Sequence, residues 1–243
     1  MIPPDHPRYR SLMTRERLAC CAKKGIVTFE GLTAHGRGEA FDYLIGERTT
    51  GSALLAERTA AACLLAAHQP VISVNGNTAA LAAHEIADLQ RSSGALVEVN
   101  LFHRTEKRMR SIEQLLRDAG VDVVSGEAEQ LLPLSHDRAW CRRNGIFSAD
   151  VVLVPLEDGD RCEALVRMGK TVVVIDLNPL SRTARTATLT IVDELTRALP
   201  NITRACVDLS LTERDGLLAS FDNNYLLKDA IREMTARLSH ALD

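Results

Sequence analysis

Arginine, asparagine, histidine and aspartate can together hold a small anion and move its protons. In this chain they recur in short strings, each directly after an apolar run. Asn75-Gly76-Asn77 follows Val71–Val74, and Asn100, then His103 and Arg104, follow Leu96–Val99. Glu157-Asp158-Gly159-Asp160-Arg161 follows Val151–Val154, and Asp176-Leu177-Asn178-Pro179, then Arg182-Thr183, follow Val172–Ile175. Guanidinium forks match phosphate and carboxylate geometry, so Arg15, Arg17, Arg37, Arg104 and Arg182 are anion-binding candidates. Asp158 and Asp160 would repel phosphate unless a cation intervenes, which suits them to Mg²⁺ or a substrate ammonium. His103 and His35 are the candidate proton carriers. Each has a plainer use as well: a helix cap for the carboxylates, a tight turn for Asn-Gly-Asn, a solvated charge for an arginine.

The apolar runs read as strands and the stretches between them as helices. Helical spacing covers Arg10–Lys24, Thr50–His68, Thr78–Arg91, Thr105–Ala119 and Arg161–Met168, and a last helix runs through Ala205. Six β-branched runs, at 71–74, 96–99, 121–124, 151–154, 172–175 and 189–191, alternate with them. That alternation predicts an α/β fold with a mostly parallel, doubly wound sheet and helices on both faces. Ligands in such sheets sit beyond the carboxyl ends of the strands, where every polar string above falls. Residues 1–48 read as an N-terminal helical segment contributing to the site, 49–210 as the α/β core and 211–243 as a C-terminal helix.

Composition narrows the partner. A net charge of −3 and 4% aromatics supply neither the field nor the stacking surface expected for nucleic acid. The six cysteines form no C-x-x-C pair, which speaks against structural zinc or a disulfide framework. The opening MIPPDHPRYR has no apolar core of a secretory signal and no window is long enough to span a bilayer, so a cytoplasmic protein is expected. No dinucleotide fingerprint, Walker loop, H-E-x-x-H or G-x-S-x-G is present. Residue chemistry alone therefore leads to a small-anion site in an α/β protein and leaves the reaction open.

Longer strings carry a resemblance. Asp5-His6-Pro7-Arg8-Tyr9, Ala34-His35-Gly36-Arg37-Gly38-Glu39, Ser73-Val74-Asn75-Gly76-Asn77 and Glu98-Val99-Asn100-Leu101-Phe102-His103-Arg104-Thr105 occur in order. So do Ser148 through Arg161 and Ile175 through Asp193. Over roughly residues 3–205 the chain resembles the archaeal-type phosphopantothenate synthetase family, also called 4-phosphopantoate–β-alanine ligase. The departures are Gly126–Asn144, the stretch after Leu209, and Glu194 where an amide is expected.

The resemblance implies a homodimeric enzyme of coenzyme A biosynthesis with a Rossmann-like core. It would use ATP, Mg²⁺, 4-phosphopantoate and β-alanine, and release AMP and pyrophosphate through an acyl-adenylate. ATP would contact an arginine of the Arg15/Arg17 segment, Arg37, Asp176-Leu177-Asn178, Arg182-Thr183 and Asp193-Glu194-Leu195. The acid substrate would meet Asn75, Gly76, Asn77, Asn100 and Arg104. Asp158 or Asp160 would seat the β-alanine ammonium or the metal, and Arg37, Arg104, His103 and Asp158 would take part in the chemistry. The rival readings are another nucleotide-binding α/β enzyme, such as a dehydrogenase, and a non-catalytic ATP sensor.

Overall fold

Runs of Val, Ile and Leu buried on both faces have no polar side to show water, the condition under which strands pair in parallel. The computed structural model describes residues 2–6, 8–156 and 158–241. Two helices come first, α1 (Tyr9–Lys23) and α2 (Phe29–Ile45), then α3 (Gly51–Ala66) and β1 (Pro70–Val74). The chain continues through α4 (Gly76–Ser93), β2 (Leu96–Val99), α5 (Glu106–Asp118), β3 (Glu129–Gln130) and β4 (Trp140–Cys141). There follow β5 (Val151–Pro155), α6 (Gly159–Arg167), β6 (Thr171–Ile175), α7 (Arg182–Thr186) and β7 (Leu189–Ile191). Last come α8 (Leu195–Asp208), α9 (Leu211–Ser220) and α10 (Asn223–Ser239).

The main sheet has the order β2-β1-β5-β6-β7, every neighbour parallel. Alternate side chains go to opposite faces, the period of a pleated strand. Ile72, Val74, Val97, Val99, Leu153, Val173 and Ile175 share the larger core with α3, α4 and α8. Val71, Val152, Val154, Val172 and Val174 pack with Cys162 and Leu165 of α6. Helices thus cover both faces, as the alternating pattern predicts.

Two expectations need correction. The strand expected at 121–124 is reduced to one parallel bridge, Val97 to Val123. Gln90 gives the reason: its amide takes both backbone groups of Asp122, each at 2.8 Å. Beside β2 that segment still marks the outer position of a doubly wound order, so the winding reverses between β1 and β5. The single helix expected at 211–243 is two, because α9 ends before Phe221 and Asp222 caps α10 through the Asn224 amide.

Asn223 then closes the open edge of β7 by accepting from Thr190 N at 2.7 Å. Leu227, Ala230 and Met234 of α10 pack with Ile45 of α2. Among the described residues no helix is long and apolar enough to cross a membrane.

Candidate functional site

The reversal point is built by Asn75. Its Oδ1 caps α4 by accepting from Thr78 N at 3.0 Å, while its Nδ2 donates to Pro155 O and Leu156 O at 3.2 and 3.0 Å. One side chain therefore ties the end of β1 to the end of β5. Leu156 sits at φ 57, a left-handed conformation unusual for a leucine. It is held there by Asn75 and by its own amide on Ile175 O at 3.2 Å. Asn77 reaches the other way, donating to Gly31 O of α2 at 2.7 Å. A Cβ on Gly76 would overlap Ile26 O, so that glycine is required by close approach, and one on Gly31 would push the Asn77 side chain aside.

Helix α2 runs without a break through His35-Gly36-Arg37-Gly38-Glu39. It lies as a partition between two cavities that share Ala34, His35 and Leu156. The first has a volume of about 150 Å³ and is walled by Leu81, Leu177, Leu195, Glu39, Asp193 and Glu194. The second, about 330 Å³, is lined by Arg37, Asn77, His103, Arg108, Arg138 and Asp158.

A buried ionic network underlies the first. Asp193, only 1% exposed, accepts from Arg197 Nε and Glu194 N at 2.9 and 2.7 Å, and from Thr49 Oγ1 at 2.5 Å. Arg197 also forks onto Asp42 of α2, at 3.1 and 2.5 Å. Below it Glu57 is fully buried and accepts from Asn201 Nδ2 at 2.9 Å. Burial and the neighbouring Asp193 push its carboxyl up to about 9. Glu194 caps α8 by accepting from Thr196 N at 2.8 Å, and burial raises its pKa above the ordinary carboxylate value.

In the second cavity burial also lowers the pKa of His35, favouring neutral imidazole. Arg138, 5% exposed, pairs through Nε with Asp158 at 2.6 Å. Arg108 of α5 donates to Ile26 O and His103 O at 3.1 and 2.8 Å.

The candidate residues therefore divide. Leu177, Asp193, Glu194 and Leu195 line the first cavity, and Arg37, Asn75, Gly76, Asn77, His103 and Asp158 the second. His35 lines both, and the other described candidates line neither. Arg15 pairs with Glu39 at 2.9 Å, and Arg17 donates to Leu81 O at 2.8 Å. Asp176 and Asn178 close a turn through Asn178 N to Asp176 Oδ1 at 2.9 Å. Arg182 pairs with Glu163 at the surface, and Thr183 is buried in the first turn of α7. Asn100 is fully buried and donates to Trp140 O at 2.9 Å, and Arg104 Nη1 turns to Met109 Sδ at 3.6 Å. Asp160 accepts from His136 Nε2 at 2.7 Å. Glu157 lies outside the described residues.

Magnesium meets a poor donor set here. Asp158 and Asp160 are engaged by Arg138 and His136, and no group of three His, Cys, Asp or Glu gathers among the described residues. The pair does not fit a protein-held ion.

A family model described as phosphopantothenate/pantothenate synthetase matches residues 52–237. The chain belongs to this family. Among its relatives is the 4-phosphopantoate–β-alanine ligase of Methanospirillum hungatei, 58% identical over 243 residues and the whole of both chains. The protein of that name from Methanosarcina mazei is 54% identical over 98% of this chain and 95% of its own. That from Thermococcus onnurineus is 50% identical over 98% and 94%.

Within this phosphopantothenate/pantothenate synthetase chain, sequence reasoning missed Arg108, Arg138 and Arg197. Two of the three left a signal. Arg197 stands four residues after Asp193 at a helix start, an ion-pair spacing. Arg108 shares a helical stripe with Ile112 and Leu115, which turns it inward. Arg138 lies in the irregular stretch before β4 and is placed by tertiary contacts, among them Asn100 Nδ2 to Arg138 O at 3.4 Å.

Proposed function

We propose that this chain joins 4-phosphopantoate to β-alanine in coenzyme A biosynthesis, using ATP and releasing AMP and pyrophosphate. The relatives that match it end to end carry the name of that ligase. The observation that carries the reading is the pair of cavities meeting at Ala34, His35 and Leu156. A reaction that brings a nucleotide to a phosphorylated acid needs two such sites with one junction.

In this reading the nucleoside occupies the cavity of Leu177 and Asp193-Glu194-Leu195, and its phosphates reach past α2 to Arg37. The carboxylate of 4-phosphopantoate attacks the α-phosphorus; the bond to the β-phosphate breaks and pyrophosphate leaves. The β-alanine amine then attacks the acyl carbon, AMP departs, and the amine gives up a proton. His35 at the junction and His103 in the second cavity are the groups placed to take it. Positioning and charge neutralisation supply most of the acceleration in such displacements. Asp158 is the carboxylate for the β-alanine ammonium. Magnesium enters on the nucleotide phosphates, with no ligand role for Asp160. The enzyme acts in the cytoplasm as a homodimer, for which the exposed Leu54 and Leu55 of α3 supply an apolar surface.

The test is AMP release with ATP, 4-phosphopantoate and β-alanine supplied singly and together. AMP only with all three supports the ligase. ADP instead would overturn the adenylate, and tight ATP binding without turnover would point to a sensor.

A further inference from the structure

Glu57 interrupts the buried face of α3, where Ala53, Ala56, Ala60, Ala61 and Leu64 are its neighbours. It lines neither cavity, and a leucine there would avoid the cost of burying a carboxyl. Its Oε2 accepts from Asn201 Nδ2 at 2.9 Å. Its Oε1 is sealed from water and meets no N–H or O–H donor among the described residues. What the Glu57 carboxyl does meet is another carboxyl, that of Asp193, to which it is hydrogen-bonded. Two carboxyls bond only if one of them carries a proton. Asp193 already accepts from Arg197, Glu194 N and Thr49 Oγ1, all of which favour its ionised form. The proton therefore sits on Glu57, which donates to Asp193.

The surrounding elements offer Glu57 no second cation. Asp193 stands just beyond β7, and α8 brings Arg197, shared with Asp42, and the neutral Asn201. Strand β5 carries no charged residue, and none of His84, Glu85, Asp88 and Arg91 of α4 is buried. Glu213 of α9 and Glu233 of α10 pair at the surface with Arg58 and Arg48. Loss of the Glu57 proton would put a third anion beside one guanidinium and turn its attraction to Asp193 into repulsion. Asp193 could answer only by moving, and Asp193, Glu194 and Leu195 form one wall of the first cavity.

We infer that Glu57 is a positioning residue for the nucleotide: through its hydrogen bond to Asp193 it fixes the wall against which the nucleoside lies. The inference rests on the proposed placement of the nucleotide in the first cavity. Glu57 touches no substrate. It acts from behind the wall, and only while it holds its proton.

ATP binding to the full chain, measured by calorimetry without added magnesium from about pH 7.5 to 10, tests this. With Glu57 losing its proton near pH 9, only about one-tenth of wild type is competent at pH 10. Its Kd for ATP therefore rises about tenfold between pH 8 and 10. Glu57→Gln keeps an N–H for Asp193 and cannot ionise, so its Kd stays within about twofold across the range. Glu57→Leu packs but offers no donor, and binds ATP about tenfold more weakly even at the neutral end.

A wild-type Kd that ignores pH overturns the inference. So does a rise that persists in Glu57→Gln, which would belong to Glu194 or to another group. Wild-type affinity in Glu57→Leu overturns it too; if that variant does not fold, wild type against Glu57→Gln decides alone. No ATP binding by wild type at the neutral end removes the nucleotide from the first cavity and the inference with it. Binding that is present but indifferent to pH leaves the nucleotide where it was placed and removes only the role of Glu57.

Discussion

The two cavities on either side of α2 solve opposite electrostatic problems with the same backbone. On one side Asp42, Asp193 and Glu57 lie buried around a single guanidinium, Arg197, and one carboxyl is held neutral to make the sum tolerable. On the other, Arg37, Arg108 and Arg138 line the cavity, with Asp158 and Glu30 as the carboxylates among the described residues. In the first arrangement one guanidinium answers two carboxylates while the third carboxyl keeps its proton, so a single negative charge is left over. The second has three arginines to two carboxylates among the described residues that line it. A closed network makes a rigid wall against which an uncharged ring or sugar can lie, whereas an open one waits for an anion.

The sharpest way to break this contrast is to remove the guanidinium from the closed side. Arg197→Met leaves Asp42 and Asp193 buried without their common partner. The loss expected from breaking a buried ion pair is about 3–5 kcal/mol. For a chain of this size that lowers Tm by roughly 6–20 °C in thermal unfolding. A fall of only a degree or two would mean that the network is not closed.

Arg37→Ala tests the boundary between the two sides. Loss of a preorganised charge at the reacting phosphates costs about 2–4 kcal/mol of transition-state stabilisation, or roughly 30- to 1,000-fold in kcat/KM for ATP. The stability of this variant stays near wild type, since Arg37 closes no network. A value within a few-fold of wild type would remove Arg37 from the triphosphate.

This division of labour was only half legible in the sequence. Asn75-Gly76-Asn77 and Asp193-Glu194-Leu195 stand out because strand exits are local: an apolar run stops, and the next residues must lie at the sheet's carboxyl edge. The chemistry of Asn75 was misleading for the same reason. Its amide looks ready for a ligand, yet β5 arrives alongside only in the folded chain, and Pro155 O and Leu156 O consume it.

Arg104 and Arg108 differ by one helical turn, and which faces inward depends on where Thr105 caps α5, through Arg108 N at 3.2 Å. The structure keeps the glycines flanking Arg37 helical and uses α2 as the partition. Arg138 could not be read at all. Its place follows from Asn100 and Glu98 holding the stretch around β4, the latter by accepting from Arg142 N and Ile146 N at 2.7 Å each.

Gly76→Ala sharpens the contrast from the open side. The added methyl overlaps Ile26 O and presses on Arg108 Nη2, so either α4 or the guanidinium must move. Overpacking of this kind costs roughly 1–3 kcal/mol. It should appear as a higher KM for 4-phosphopantoate with KM for ATP spared, in the same steady-state assay. Equal effects on both would mean that the cavities are not separable.

The last test lies in Glu57, where the closed side holds its proton. The ordinary carboxylate range applies in the unfolded chain, while the folded chain holds Glu57 up to about 9. Between those two values the native state binds more protons than the unfolded state, so this group makes stability fall as pH rises from about 5 to 9. Glu57→Gln keeps the shape, still offers an oxygen to Asn201, and places an N–H where the carboxyl proton points at Asp193. With nothing left to ionise, the variant loses that slope. Denaturant midpoints across this pH range should therefore converge at the acid end and separate in favour of the variant toward pH 9. Parallel curves would mean that Glu57 is ionised in the native state, with three carboxylates around the one guanidinium of Arg197.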